Sequence, residues 1–241
     1  MNSHAVYTEN LEKRFGHFCA VKRLNLTVDY GEIFGFLGAN GAGKTTAIRM
    51  LCGLLLPSAG SGQVGGFDIW KETEKIKQNI GYMSQKFSLY EDLTVAENIE
   101  FYAGVYGLDR ATLKRKREQL LGELELREWA SRLTRALPLG YKQRLALGCA
   151  LLHDPKIIFL DEPTGGVDPE ARRNFWNLIY RLAEAGKAVF VTTHYMDEAE
   201  YCNRVSIMYQ GEIIAMDSPR ALKQAYEKQT MQEVFIHLAL R

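Results

Sequence analysis

Apolar residues along this chain fall into two kinds of pattern. One is the short, nearly unbroken run: Gly31-Glu32-Ile33-Phe34-Gly35-Phe36-Leu37, Ile157-Ile158-Phe159-Leu160 and Ala188-Val189-Phe190-Val191. Runs of this length bounded by turn residues read as strands buried on both faces. The other is helical spacing. Thr45 to Gly53 follows a glycine-rich loop and closes before Pro57. Pro169 to Ala185 starts with a proline suited to a first helical turn and stops at Gly186. Strand, helix and strand in this order predict parallel strands joined by crossover helices. The first 30 residues and Ser61 to Ile69 differ: short alternating runs separated by glycine predict antiparallel β structure. From about Thr94 to Leu152 the pattern is helical, with Val95, Ile99, Tyr102 and Tyr106 on one stripe. The basic run Lys114-Arg115-Lys116-Arg117 reads as a solvated helix face. The expectation is one domain over 1–241, an α/β core with a mixed, mainly parallel sheet, an antiparallel β flank and a helical insertion near 94–152.

Composition narrows the class. Apolar residues make up 46% and charged residues 24% of 241 residues, ordinary values that argue against disorder or coiled coil. Lys and Arg number 30 against 29 Asp and Glu, so net charge gives no reason to expect a nucleic-acid partner. No run approaches the ~18 apolar residues of a membrane span, and the first residues lack a signal-peptide layout. Cys19, Cys52, Cys149 and Cys202 are too scattered for a zinc pattern or a disulfide framework. A cytoplasmic protein with reduced thiols is expected, with any membrane role exercised through a partner.

Gly38-Ala39-Asn40-Gly41-Ala42-Gly43-Lys44-Thr45 matches G-x-x-x-x-G-K-[ST], after a predicted strand and at the opening of a predicted helix. Glycines let backbone N–H groups curl round a phosphate, and the helix N-terminus adds unpaired donors and a positive dipole end. Lys44 supplies a charge for the β- and γ-phosphates and the Thr45 hydroxyl a ligand for Mg²⁺. The segment predicts a nucleoside triphosphate site.

Such a site needs a carboxylate at the end of a neighbouring strand to hold the metal. Asp161 follows the run Ile157–Leu160, and Glu162 stands one residue beyond, where it can polarise a water in line with the γ-phosphate. His194 ends the later run Val189-Phe190-Val191-Thr192-Thr193. A lone strand-end histidine is usually structural. Here the strand ends carrying Lys44, Asp161 with Glu162, and His194 point to the same edge, where open α/β sheets bind ligands.

The order Phe15-Gly16, the phosphate loop, Gln85, Asp161-Glu162-Pro163-Thr164, Val167-Asp168-Pro169 and His194 resembles the ATP-binding subunit of ABC transporters along essentially the whole chain. The resemblance implies the fold of a P-loop NTPase and a set of roles. Phe15 stacks on adenine, and Gly38 to Thr45, with Thr46, holds the phosphates of ATP. Thr45, Gln85 and Asp161 serve Mg²⁺, Gln85 also reaching the attacking water. Glu162 is the general base, His194 contacts the γ-phosphate, and Asp168 crosses a dimer interface. It further implies that two such domains close head to tail on two ATP molecules and drive permease subunits from the cytoplasmic face of the membrane. Gly107-Leu108, Asp217-Ser218-Pro219 and Met231 to Leu238 are similar to the branch serving drug and small-molecule exporters.

One stretch departs from the family. Its signature reads Leu-Ser-Gly-Gly-Gln, whereas this chain has Leu137-Pro138-Leu139-Gly140-Tyr141. Pro138 has neither hydroxyl nor backbone N–H, and Leu139 adds a side chain where backbone normally approaches the nucleotide. The lid this chain offers a partner is therefore altered, while its own phosphate-binding half is complete. Two alternatives stand beside an exporter motor: a poorly hydrolysing regulatory nucleotide-binding half, which Pro138 favours, or a soluble ABC ATPase outside transport. The second ATPase domain could come from a second copy or from a different chain. Lys86-Phe87-Ser88-Leu89-Tyr90, after Gln85, either folds onto the helical insertion or forms a groove for a helix of the transmembrane subunit.

Overall fold

The computed structural model describes residues 4–86 and 88–239. The chain opens with a long hairpin, β1 (His4–Phe15) and β2 (Phe18–Asp29). Then come β3 (Ile33–Leu37), α1 (Lys44–Leu51), β4 (Ala59–Val64), β5 (Phe67–Asp68), α2 (Thr73–Asn79) and β6 (Ile80–Met83). The helical stretch contains α3 (Val95–Val105), α4 (Arg110–Glu123) and α5 (Leu139–Leu151), with two short 3₁₀ turns between α4 and α5. The rest is β7 (Ile157–Asp161), α6 (Pro169–Glu184), β8 (Ala188–Thr193), a 3₁₀ segment over Met196–Tyr201, β9 (Arg204–Tyr209), β10 (Glu212–Asp217), α7 (Pro219–Ala225) and α8 (Met231–Ala239).

Two sheets result. The flank is antiparallel in the order β2-β1-β4-β5. The central sheet runs β10-β9-β3-β8-β7-β6, parallel except for the β10 edge. Its middle strands are buried on both faces, and their side chains divide by alternation. Ile33, Leu37, Ile158, Leu160, Val189 and Val191 face the core beneath α3 to α8. Phe34, Phe36, Ile157, Phe159, Ala188 and Phe190 face a second core shared with α1 and the antiparallel sheet. Phe159 and Phe190 stack there at 4.6 Å between centroids. The two-faced burial explains why these strands carry no polar alternation in sequence.

Local signals set the helix starts. Thr94 and Glu97 form a capping box on α3: the Glu97 N–H donates to Thr94 Oγ1 at 3.2 Å, and the Thr94 N–H to Glu97 Oε2 at 2.8 Å. Asp168 caps α6 by accepting from the Ala171 N–H at 2.9 Å, with Pro169 as the first helical residue. Phe175, Trp176, Leu178 and Ile179 fix the face that α6 buries. Among the described residues no helix is long and apolar enough to cross a membrane.

Candidate functional site

The site lies at the carboxyl ends of four adjacent parallel strands. The order β3-β8-β7-β6 places Gly38, His194, Asp161 with Glu162, and Gln85 in a row along one sheet edge. Gln85 and Glu162 are far apart in the chain, yet Gln85 Nε2 donates to Glu162 Oε2 at 3.0 Å.

The phosphate loop joins β3 to α1. Gly43 sits at φ 108°, a conformation that side-chain-bearing residues avoid, and a β-carbon there would stand 2.6 Å from the Ala20 carbonyl of β2. Gly38, at φ 156°, would clash likewise with the Met208 carbonyl. Ala39, Asn40 and Gly41 are exposed at the loop tip, while Ala42 is buried. Lys44 is buried at the first turn of α1, and its ammonium donates to the carbonyls of Gly38 at 2.7 Å and Ala39 at 3.1 Å. Burial lowers its pKa from the usual lysine range, and the nearby Glu162 and Asp161 offset part of that fall. Glu162 Oε1 lies 4.0 Å from the ammonium. Thr46 follows, half-buried, in the same helical turn as Thr45.

Asp161 is 1% exposed. Its Oδ1 accepts from Thr45 Oγ1 at 3.2 Å and from Thr192 Oγ1 at 2.6 Å. The same Thr192 oxygen accepts the Glu162 N–H at 2.8 Å. Glu162 itself takes φ 50°, the left-handed region uncommon for a residue with a side chain. This kink turns its carboxylate out of the strand direction, towards Lys44, Gln85 and His194. His194 Nδ1 is 3.3 Å from Glu162 Oε2, without hydrogen-bond geometry. Among the described residues no three His, Cys, Asp or Glu cluster into a protein-only metal cage. Thr45, Asp161 and Gln85 offer hard oxygen donors, the kind that suits Mg²⁺ shared with substrate phosphates.

The other sequence-predicted residues lie on β1 and around the start of α5. Phe15 ends β1, 51% exposed, with the Lys13 ammonium 5.2 Å from its ring centroid. The signature stretch, Leu137 to Tyr141, leads into α5 and neighbours the loop after Glu162 through Leu139 and Gly166. Leu137 is buried, Pro138 is the N-cap of α5 without a side-chain capping bond, and Leu139 is 40% exposed. Leu139 Cδ2 comes within 3.4 Å of the position a β-carbon on Gly166 would take. Gly140 packs against Ala171 of α6, and Tyr141 tilts against Trp129 at 4.9 Å. Asp168, exposed, caps α6 beside this stretch.

The segment after Gln85 is tied to the helical insertion. Tyr90 exchanges two hydrogen bonds with the buried Asn98 of α3, both at 2.9 Å, and Tyr102 Oη donates to the Ser88 carbonyl. Phe87 lies outside the described residues. Tyr90 remains 48% exposed and stacks edge-on with the exposed Phe101 at 4.5 Å. A cavity of about 120 Å³ opens beside it, lined by Met83, Ser88, Leu89 and Tyr102. Sequence reasoning missed the bridging of Asp161 and Glu162 by Thr192. Two threonines in an otherwise apolar buried run, Val189 to Thr193, were the available signal.

Known proteins share this sequence pattern and fold. A family model described as ABC transporter matches residues 21–165. A probable multidrug ABC transporter ATP-binding protein of Escherichia coli, YbhF, is 49% identical over 97% of this chain, which spans 41% of that relative's length. The linearmycin resistance ATP-binding protein LnrL of Bacillus subtilis is 41% identical over 86% of the chain and 67% of its own length. A solved ATP-binding subunit of an ABC transporter superposes with a TM-score of 0.86 at 26% identity, covering 97% of this chain and 99% of that one. A dimeric ATP-binding cassette in a post-hydrolysis state with ADP and Pi gives 0.80 at 27% identity, covering 88% and 98%. A phosphate loop, an acid pair and a histidine on one sheet edge, with a family match through the first two, lead to one conclusion: the chain belongs to the ABC transporter family, as an ATP-binding domain.

Proposed function

We propose that this chain binds and hydrolyses ATP for a membrane exporter, in a closed pair with a second ATPase domain and docked on permease subunits at the cytoplasmic face. The observation that carries the catalytic part is the cluster around Glu162. Gln85 at 3.0 Å, His194 at 3.3 Å and Lys44 at 4.0 Å surround one carboxylate at the phosphate-binding edge. In this reading Glu162 accepts the proton of the attacking water, Gln85 orients that water and His194 faces the γ-phosphate. Lys44 and the N-terminus of α1 bind the β- and γ-phosphates. Thr45, Asp161 and Gln85 would hold Mg²⁺, which when bound neutralises charge developing on the transferred phosphoryl group. Phe15 stacks on the adenine ring. The strained backbone of Glu162, pinned by Thr192, favours a positioned base over a solvated strand end.

The export role draws on the relatives' names and on the exposed Tyr90–Phe101 patch beside the Gln85 segment, which suits a helix of a transmembrane subunit. The altered signature favours a division of labour. Pro138 cannot donate a hydroxyl across the dimer, and Leu139 stands where the nucleotide would approach. This chain's own site would then be completed by an intact signature from a different ATPase domain. Glu162→Gln in the assembled transporter tests the catalytic reading: ATP binding persists while turnover falls by about 10²–10⁴-fold. Full turnover in that variant would remove Glu162 from its role.

A further inference from the structure

Glu198 presents an unusual burial. It belongs to the 3₁₀ segment after β8, is 0% exposed, and among the described residues its Oε2 has no hydrogen-bond partner. Its Oε1 accepts from Thr164 Oγ1 at 2.5 Å and lies 3.5 Å from Arg172 Nε, a nitrogen that makes no hydrogen bond among the described residues. Withdrawing a carboxylate wholly, and its guanidinium partner partly, from water offsets much of their attraction, so such pairs often add little stability over an apolar replacement. Their placement therefore has more consequence for what it orients than for stability.

Three segments meet at Glu198. Thr164 lies in the loop that leaves Glu162 and ends at Asp168. Arg172 is in the first turn of α6, directly after that loop. Glu198 belongs to the segment carrying His194. The Arg172 guanidinium lies over the Tyr195 ring, 4.5 Å from its centroid, and its Nη1 is 3.6 Å from Asp197. The Tyr195 ring in turn packs on His194 at 4.2 Å between centroids, tilted by 36°. The Tyr195 N–H is held by Thr193 Oγ1 at 2.9 Å. The imidazole is thus backed by one ring, that ring by a guanidinium, and the guanidinium by a wholly buried carboxylate.

We propose that Glu198 and Arg172 are positioning residues that act through Tyr195 to hold His194 against the γ-phosphate side of Glu162, and through Thr164 tie that histidine to the loop ending at Asp168. The inference rests on the reading of Glu162 and His194 given above. A planar guanidinium can stack and pair at once, whereas a lysine ammonium cannot. A small misplacement of a positioned group costs up to about 10²-fold in rate.

The test uses the chain assembled with its partner subunits, with kcat, KM for ATP and melting temperature measured for each variant. Arg172→Ala and Glu198→Gln are expected to lower kcat about 10- to 100-fold with KM within about twofold. Arg172→Lys is expected not to rescue. The decisive measurement is the double variant His194→Ala with Arg172→Ala. If Arg172 works through His194, the pair is no slower than His194→Ala alone. Multiplying losses, or a folded Arg172→Ala at full rate, overturn the proposal, as does full activity of His194→Ala. Arg172 is partly solvent-exposed, so its variants carry the test even where those of Glu198 fail to fold. Glu162→Gln in the same preparation separates the two readings: its loss of turnover with Arg172→Ala unaffected leaves the general base standing and removes only the positioning pair.

Discussion

Replacing Thr192 by valine removes one hydroxyl and keeps the shape. That hydroxyl donates to Asp161 Oδ1 at 2.6 Å and accepts the Glu162 N–H at 2.8 Å, in a wholly buried position. A hydrogen bond to a charged group contributes about 1.5–3 kcal/mol, and a buried N–H left without a partner costs about 1–3 kcal/mol. The valine methyl recovers about 0.8 kcal/mol of burial. Thr192→Val should therefore lose about 2–5 kcal/mol, or about 2–4 °C of melting temperature for each kcal/mol. Turnover should fall as well, because the unusual φ of Glu162 is held by this bond, while KM for ATP moves little. Thr192→Ser keeps the hydroxyl and should retain most of both properties. Urea unfolding gives the stability, and phosphate release from the assembled transporter gives kcat. A Thr192→Val protein with wild-type urea midpoint and wild-type kcat would refute the reasoning, since neither hydrogen bond could then matter.

Other outcomes follow from the same geometry. Lys44→Ala should weaken ATP binding itself in equilibrium titration, because its ammonium is fixed inside the phosphate loop. Phe15→Ala should cost about 1–3 kcal/mol of ATP affinity, with GTP affected similarly, since stacking reads a ring face more than hydrogen-bonding edges; unchanged ATP affinity would remove Phe15 from the site. Pro138→Ser with Leu139→Gly should increase ATP-driven dimerisation and hydrolysis of the isolated chain, as seen by size-exclusion chromatography and phosphate release; no gain in either means the altered signature is tolerated. His153, stacked on Tyr106 at 3.9 Å, is held below the usual histidine range by burial. The unfolded chain therefore binds a proton first as pH falls, so stability should drop below about pH 6.5. His153→Gln should flatten that dependence in urea midpoints compared across the range.

Some of this protein was legible because the chemistry needs contiguous residues. The phosphate loop is one segment: its glycines, Lys44 and Thr45 must follow each other for backbone N–H groups to converge on one phosphate. The first-turn proline of α6, Pro169, was equally local. The runs ending in Asp161 and Thr193 announced strands buried on both faces. That same two-faced burial hid their register, since a strand without polar alternation does not reveal which residue of its neighbour it faces. The sheet sets Asp161 opposite Thr192, and from that pairing come the shared hydroxyl and the kinked Glu162. Gln85 meets Glu162 across 77 residues only because β6 lies beside β7. Arg172, Tyr195 and Glu198 look in sequence like ordinary residues of a helix and a turn. Their stacking behind His194 depends on how α6 packs against the segment after β8. The sequence carried the chemistry of each group; long-range packing, which no local pattern encodes, decided which groups touch.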